Sequence, residues 1–251
     1  MNLHVLSNHL DELLRVHDIR DYTNAVNGLQ VENRGEVTKI ACAVDACEKV
    51  IEQAIKANCD LLIVHHGLFW SGLGPVAGPA YRKLRLCFEN NLAVYSVHLP
   101  LDLHPELGNN TLLCDALGLP KERTPFLESQ GQPIGLRVVH EIKREELWKA
   151  LQHTVNGRVH LAAGGPPVAR NIAVVTGGAG ASILEAAAAG IDTFITGEGP
   201  HWSYTAAEEA HVNLFYAGHY ATETFGVKAL GEHLQGKYGL TWEFIDHPSG
   251  L

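Results

Sequence analysis

Two adjacent histidines end an apolar run at residues 60–70, DLLIVHHGLFW. Imidazole nitrogens bind transition metals as well as protons. A pair placed where a strand breaks into a loop can serve one site, and Gly67 supplies the break. The pattern recurs: LAVYSV runs into His98 and Asp102, TFIT into Glu198 and His201, and NLFYAG into His219 and Glu223. The polar residues collected at strand ends are therefore His65, His66, His98, Asp102, Glu198, His201, His219 and Glu223, with no cysteine among them. Imidazoles mixed with carboxylates suit Zn, Mn, Fe, Co or Ni. A mixed set of about five ligands exceeds what one tetrahedral ion takes, so two divalent ions per chain are expected. A carboxylate from Asp102 or Glu223 can bridge cations ~3.5–4 Å apart, and such a pair deprotonates water at neutral pH.

The elements that must position these groups read as an α/β fold. Leu61, Leu62, Ile63 and Val64 form a run apolar on both faces, the mark of a parallel strand, and ligands in open α/β sheets bind beyond the carboxyl ends of such strands. Residues 37–44 read as a strand and residues 47–57 as a helix with Val50, Ile51, Ala54 and Ile55 inward, giving strand, helix, strand before the double histidine. A crossover this short leads to a parallel sheet. Residues 3–14 predict a first helix with Leu3, Leu6, Leu10, Leu13 and Leu14 on one stripe. Residues 22–30 are turn chemistry, and the Gly/Pro-rich residues 71–79, which cannot hold a helix or strand, are expected as a mobile rim over the strand ends. Residues 81–89 are helical, residues 92–97 a short buried strand, and residues 108–117 a helix entered through Asn109 or Asn110 as cap. After the proline-bounded residues 120–133, a strand, helix and strand suggest a smaller lobe.

From Asn171 the first half returns. NIAVVTGGAGASILEAAAAGIDTFITGE matches KIACAVDACEKVIEQAIKANCDLLIVHH without a gap, with Ile51/Ile183, Ala54/Ala186, Asp60/Asp192 and His66/Glu198 in register, and the match continues with changed spacing where His98-x-x-x-Asp102 recurs as His219-x-x-x-Glu223. We read an internal duplication of a β-α-β unit. Two pseudo-equivalent sheets could then present their carboxyl ends to one another, and residues over 150 positions apart in the chain could share a cleft. The expected organisation is a two-lobed, layered sheet-and-helix fold: residues 1–125 as a first lobe, 126–210 as a smaller second, and 211–251 returning to the first and completing the metal site.

Composition narrows the partners. The 251 residues, 46% hydrophobic, suffice for a sizeable core. A net charge of -9 without a Lys/Arg cluster disfavours nucleic acid. No apolar run approaches the ~20 residues of a bilayer span. Five scattered cysteines without a paired motif or secretory pattern point to a reducing, cytoplasmic setting. Thr176-Gly177-Gly178-Ala179-Gly180, after the strand IAVV, is a competing phosphate or dinucleotide loop. It lacks the Gly-x-Gly-x-x-Gly spacing, and a tight strand-to-helix turn is the preferred reading.

Taken together, Asn27-Gly28-Leu29-Gln30-Val31, Val64-His65-His66-Gly67, His98-Leu-Pro-Leu-Asp102 with Gly108-Asn109-Asn110, Thr196-Gly197-Glu198 and Gly218-His219-x-x-x-Glu223 resemble the Nif-three-like dinuclear metal-binding family, the GTP cyclohydrolase I type 2 homologues. The resemblance covers nearly the whole chain. It implies His65, His66, Asp102, His219 and Glu223 as metal ligands, two metal ions per chain, and a toroidal homohexamer, a trimer of dimers, enclosing a cavity. It also implies a metal-dependent hydrolase acting on a nucleotide-like small molecule such as GTP, with a non-catalytic, metal-stabilised assembly as the alternative. After Glu198 this chain departs from the family pattern with Gly199-Pro200-His201-Trp202, so His201 stands as a pocket candidate only. His98 is expected to hold a ligand carboxylate rather than the metal, and Glu198 either enters the pocket or caps the next helix.

Overall fold

The computed structural model describes residues 1–70, 72 and 74–251. In chain order the elements are α1 (Leu3–Leu13), β1 (Gly28–Val31), β2 (Lys39–Asp45), α2 (Glu48–Lys56), β3 (Leu61–His66), α3 (Gly78–Glu89), β4 (Ala93–Ser96), α4 (Leu99–Asp102) and α5 (Asn109–Ala116). They continue with β5 (Arg123–Ser129), β6 (Gln132–Lys143), α6 (Arg144–Thr154), β7 (His160–Ala163), β8 (Val168–Val175), α7 (Ile183–Ala188), β9 (Thr193–Thr196), α8 (Trp202–Glu209), β10 (Asn213–Tyr216), α9 (His219–Thr222), α10 (Thr224–Tyr238) and β11 (Thr241–Phe244). The chain divides into two compact units, Met1–Leu101 with Gly226–His247, and Asp102–Phe225 with Pro248–Leu251. The lobe limits expected from the sequence are 125 and 210. Among the described residues no helix is long and apolar enough to cross a membrane.

The first unit is built on a sheet of order β1-β4-β3-β2-β11. Its centre, β2, β3 and β4, is parallel as the doubly apolar runs predicted. β11 adds parallel to β2, and β1 antiparallel to β4. Gly28–Val31 is thus a strand where the sequence suggested turn chemistry; ladder bonds to β4 override the local turn preference. Ala41, Ala43, Leu62, Val64 and Val94 pack with Val50, Ile51 and Ala54 of α2 in one core cluster. Each large side chain fully buried this way contributes about 1.5–3 kcal/mol. Leu3, Leu6, Leu10 and Leu14 are buried along α1 as the stripe required, and Asn2 caps that helix by accepting from His4 and Val5 N–H. α3 begins at Gly78, earlier than residue 81, because Pro79 fits a first helical turn that needs no N–H there. Of the expected rim, Ser71 and Leu73 lie outside the described residues.

Two histidines outside the predicted set tie α1 to α10 in this unit. His9 and His233 stack at 5.3 Å between centroids, with their Nε2 atoms 3.0 Å apart. Lys237 Nζ donates to His9 Nδ1 at 3.3 Å. His9 therefore carries its proton on Nε2 and donates it to His233. Burial first, and next the charge of Lys237, hold both histidines below the ordinary value; His233 adds to this at His9, and Glu12 opposes it. An unfolded chain binds these protons more readily than the native one, so stability present above the usual histidine pKa is lost as pH falls through and below it. Melting at pH 7.5 and 5.5 should show a loss on acidification that His233→Asn reduces. An equal loss in wild type and variant would show that the pair does not titrate in this way.

The second unit carries a sheet of order β5-β6-β8-β9-β10-β7, parallel from β8 to β10 and antiparallel elsewhere. Strand β5 lies in the proline-bounded stretch where no strand was predicted. Its hairpin to β6 turns through Gln130 and Gly131, both at positive φ, and places Pro125 opposite Leu136 on the edge strand where proline is tolerated. The duplication is visible as register. Ile40 pairs with Leu61 and Ala43 with Val64, and the counterparts Ile172 with Thr193 and Val175 with Thr196 pair identically. Asp60 accepts from Thr38 N–H at 2.7 Å and Lys39 N–H at 3.1 Å; Asp192 accepts from Arg170 N–H at 3.1 Å and Asn171 N–H at 2.8 Å. Each aspartate pins the start of the preceding strand. One expected match slips. Val97 N–H to Val64 O corresponds to Ala217 N–H to Thr196 O, so His98 aligns with Gly218, and His219 comes one residue later. Gly218 at φ +93°, bonded to Gly197 O, extends the second ladder by that residue.

Candidate functional site

In the first unit His65 and His66 stand at the carboxyl end of β3, where the chain must turn tightly. A Cβ on Gly67 would lie 2.6 Å from both Gln30 Oε1 and Ser96 Oγ. Gln30 fills the space beside the turn, accepting from Leu68 N–H at 2.7 Å and donating to Val26 O at 2.8 Å. His65 is fully buried, its Nδ1 2.9 Å from Val97 O. His66 places Nδ1 2.9 Å from Asp45 Oδ1, on the residue paired with it across the ladder. His98 places Nδ1 2.9 Å from Asp21 Oδ1. Asp21 also accepts from Leu99 N–H at 2.9 Å and Asn27 Nδ2 at 2.8 Å, and Asn27 Oδ1 accepts from His98 N–H at 2.7 Å. Burial pushes the Asp21 carboxyl up, but the His98 bond and charge, with the Asn27 and Leu99 bonds, outweigh it and hold it below its usual range.

The three rings lie 4.8 to 5.6 Å apart between centroids, and one nitrogen of each lies within 4.8 Å of the others. An oxygen acceptor at each Nδ1 puts the neutral ring's proton there and makes Nε2 the basic nitrogen. This is the arrangement of metal-binding histidines, whose second nitrogen is held by a carboxylate or carbonyl. His98 has it too, and its carboxylate partner is Asp21 rather than a predicted ligand.

In the second unit His219 opens α9, with Nδ1 2.8 Å from Glu198 Oε1 and Nε2 3.2 Å from the buried Glu223 Oε2 one turn on. Burial lowers its pKa, but hydrogen bonds and charge from Glu223 and Glu198 lift it to about 9. Two glycine turns set this geometry. A Cβ on Gly177 would overlap Glu223 Oε1, and one on Gly197 would lie 2.5 Å from Gly177 O and 2.6 Å from His219 Cα. The turns are bonded through Glu198 N–H to Gly177 O and Gly180 N–H to Glu198 O. Gly177 N–H donates to Thr222 Oγ1 and Ala179 N–H to Thr196 Oγ1. The amides of Gly177, Ala179 and Gly180 are thus engaged within the fold, which favours the tight-turn reading of this motif over a phosphate cradle.

Asp102 is buried and accepts from Asn109 Nδ2 at 2.7 Å. Asn110 donates to Asp102 O and Ile134 O and accepts from Thr176 N–H at 2.9 Å. The expected cap role of these asparagines is therefore corrected: Gly108 occupies the cap position of α5, and the amide side chains instead tie Asp102 and β8 together. Glu198 is His219's partner and does not cap α8, whose start has no side-chain cap bond. His201 is exposed at that start and belongs to neither group of donors.

Sequence reasoning missed Asp21 and Asp45. Asp45 carried a signal, since it ends the apolar run KIACAV as the histidines end LLIV. Asp21 carried none, lying 77 residues from the ring it holds.

A family model described as Duf34/NIF3 (NGG1p interacting factor 3) matches residues 1–249. A protein of Halobacterium salinarum named GTP cyclohydrolase 1 type 2 homolog is 41% identical, covering 100% of both chains. One of the same name from Deinococcus radiodurans is 36% identical, covering 96% of this chain and 92% of its own. The crystal structure of TTHA1606 from Thermus thermophilus is similar with TM-score 0.91 and 37% identity, covering 100% of both chains.

Proposed function

Because the chain belongs to the Duf34/NIF3 (NGG1p interacting factor 3) family, we propose that it is a metal-dependent hydrolase of a nucleotide-like small molecule such as GTP, working with two divalent ions held by His65, His66, Asp102, His219 and Glu223. The observation that carries this reading is the anchoring of the imidazoles: His65, His66 and His219 each place Nδ1 against an oxygen acceptor, making Nε2 the ligand atom. The donor chemistry fits Zn, Mn, Fe, Co or Ni. Bound ions would supply Lewis acidity toward a substrate oxygen or nitrogen and acidify water. Val97 O, Asp45 and Glu198 each hold one ring by its Nδ1. The proton that His219 holds toward Glu223 has to leave before its nitrogen ligates, so metal uptake is expected to release protons. The likeness to relatives named GTP cyclohydrolase 1 type 2 homolog supports the substrate class. We place this chemistry in a homohexamer, a trimer of dimers.

Metal-replete protein should hold two ions per chain by elemental analysis and turn over GTP or a related nucleotide. His65→Ala should lose ions and activity together. Ion binding with no turnover above that of His65→Ala across a nucleotide panel would overturn the enzyme reading in favour of a metal-stabilised assembly.

A further inference from the structure

Beside the imidazoles of the first unit stand two large rings that the metal reading does not use. Trp70, just past β3, is 39% exposed, and Tyr22 is 46% exposed. Trp70 meets His98 edge-on at 4.7 Å and 66°, lies 5.4 Å from His66, and meets Tyr22 edge-on at 6.3 Å and 75°. Tyr22 in turn lies 6.0 Å from His98. Tyr22 follows Asp21, and its own N–H is bonded to the carboxylate that holds His98. The indole is thus braced by three rings while much of its surface stays in water, which forgoes the burial that normally repays a tryptophan. A ring held in place and left wet is pre-organised for a ligand, since little freedom remains to be lost on binding.

We propose that Trp70 and Tyr22 form a ring-binding subsite that takes a planar aromatic heterocycle of the nucleobase or pterin kind, stacked beside His66 and His98. Aromatic faces bind such rings irrespective of their substituents, because every base has a π-face. The inference rests on the metal reading above for the chemistry done on the ligand, while the stacking itself needs no turnover. It assigns recognition to the ring rather than to the phosphates.

Isothermal titration of metal-replete protein with guanosine, GTP, inorganic triphosphate and ribose 5-phosphate tests it. Guanosine and GTP should bind alike, and the two ring-free probes at least about ten-fold more weakly. Trp70→Ala should weaken guanosine on the order of ten-fold, Trp70→Phe should restore most of the loss, and both should keep wild-type metal content. The proposal is overturned if guanosine binds Trp70→Ala as well as wild type, if triphosphate binds as tightly as GTP, or if wild type binds neither guanosine nor a pterin. Loss of metal from Trp70→Ala with ring affinity intact also overturns it, making the indole a wall of the metal pocket. Trp70-dependent guanosine binding without hydrolysis of any nucleotide leaves this subsite standing and removes the hydrolase reading. Hydrolysis that Trp70→Ala leaves untouched in KM does the reverse.

Discussion

Asp21→Ala should lower the urea midpoint sharply, with an unchanged slope, at a cost of about 3–5 kcal/mol. The side chain is 5% exposed and accepts from His98 Nδ1, Leu99 N–H and Asn27 Nδ2. Removing it strands these donors where water reaches poorly, and each buried unsatisfied donor costs about 1–3 kcal/mol, not fully additively. Asn27 would lose its own anchor and with it the bond to His98 N–H. Metal affinity at the first unit's imidazoles should fall about 10–100-fold, the usual effect of losing a group that orients a ligand histidine. Asp21→Asn keeps one oxygen acceptor but turns an amide NH2 toward the donors that the other oxygen served, so it should recover only part of the lost stability. A wild-type midpoint for Asp21→Ala would show that the carboxylate does not organise this end of the sheet.

Gly197→Ala should damage the second unit at its candidate site. Its Cβ would meet backbone on two sides, Gly177 O and His219 Cα, and backbone cannot step aside as a flexible side-chain tip can. Overpacking of this kind costs about 1–3 kcal/mol. The shift would also strain the bonds from Glu198 N–H to Gly177 O and from Gly218 N–H to Gly197 O, both 2.9 Å. Glu198 and His219 leave from that same backbone, so their 2.8 Å contact should open and ion content should fall along with stability. Gly236→Ala, with nothing within 4 Å inside α10, is the control and should leave stability unchanged or raise it by up to about 1 kcal/mol. If the two variants melted alike, the close approach at Gly197 would not constrain the fold.

Much of the α/β architecture could be read directly. The apolar runs ending at Val64, Val97 and Val175 gave strands β3, β4 and β8, and the matching of Asp60 with Asp192 anticipated the pairing register of both halves. Strands β1, β5 and β11 could not be read. They are short edge strands or carry proline, and their conformation comes from the ladder each joins rather than from local preference. The candidate histidines and carboxylates were legible by type because each ends or closely follows an apolar run. Of the groups that hold the imidazoles, Glu198 was among the candidates, Asp45 carried a signal and Asp21 carried none.

What the sequence determined by itself was periodicity, repetition and chemistry: which stretches bury, that one unit was copied, and which side chains can ligate a metal. These depend on residues near one another in the chain. The tertiary structure alone decided which oxygen faces each Nδ1, that Asn110 serves Thr176 rather than a helix end, and that His98 and His219 sit one register position apart. Hydrogen bonds between distant segments leave no period in the sequence, and a single glycine such as Gly218, adopting a φ of +93°, displaces His219 by a full residue along its ladder.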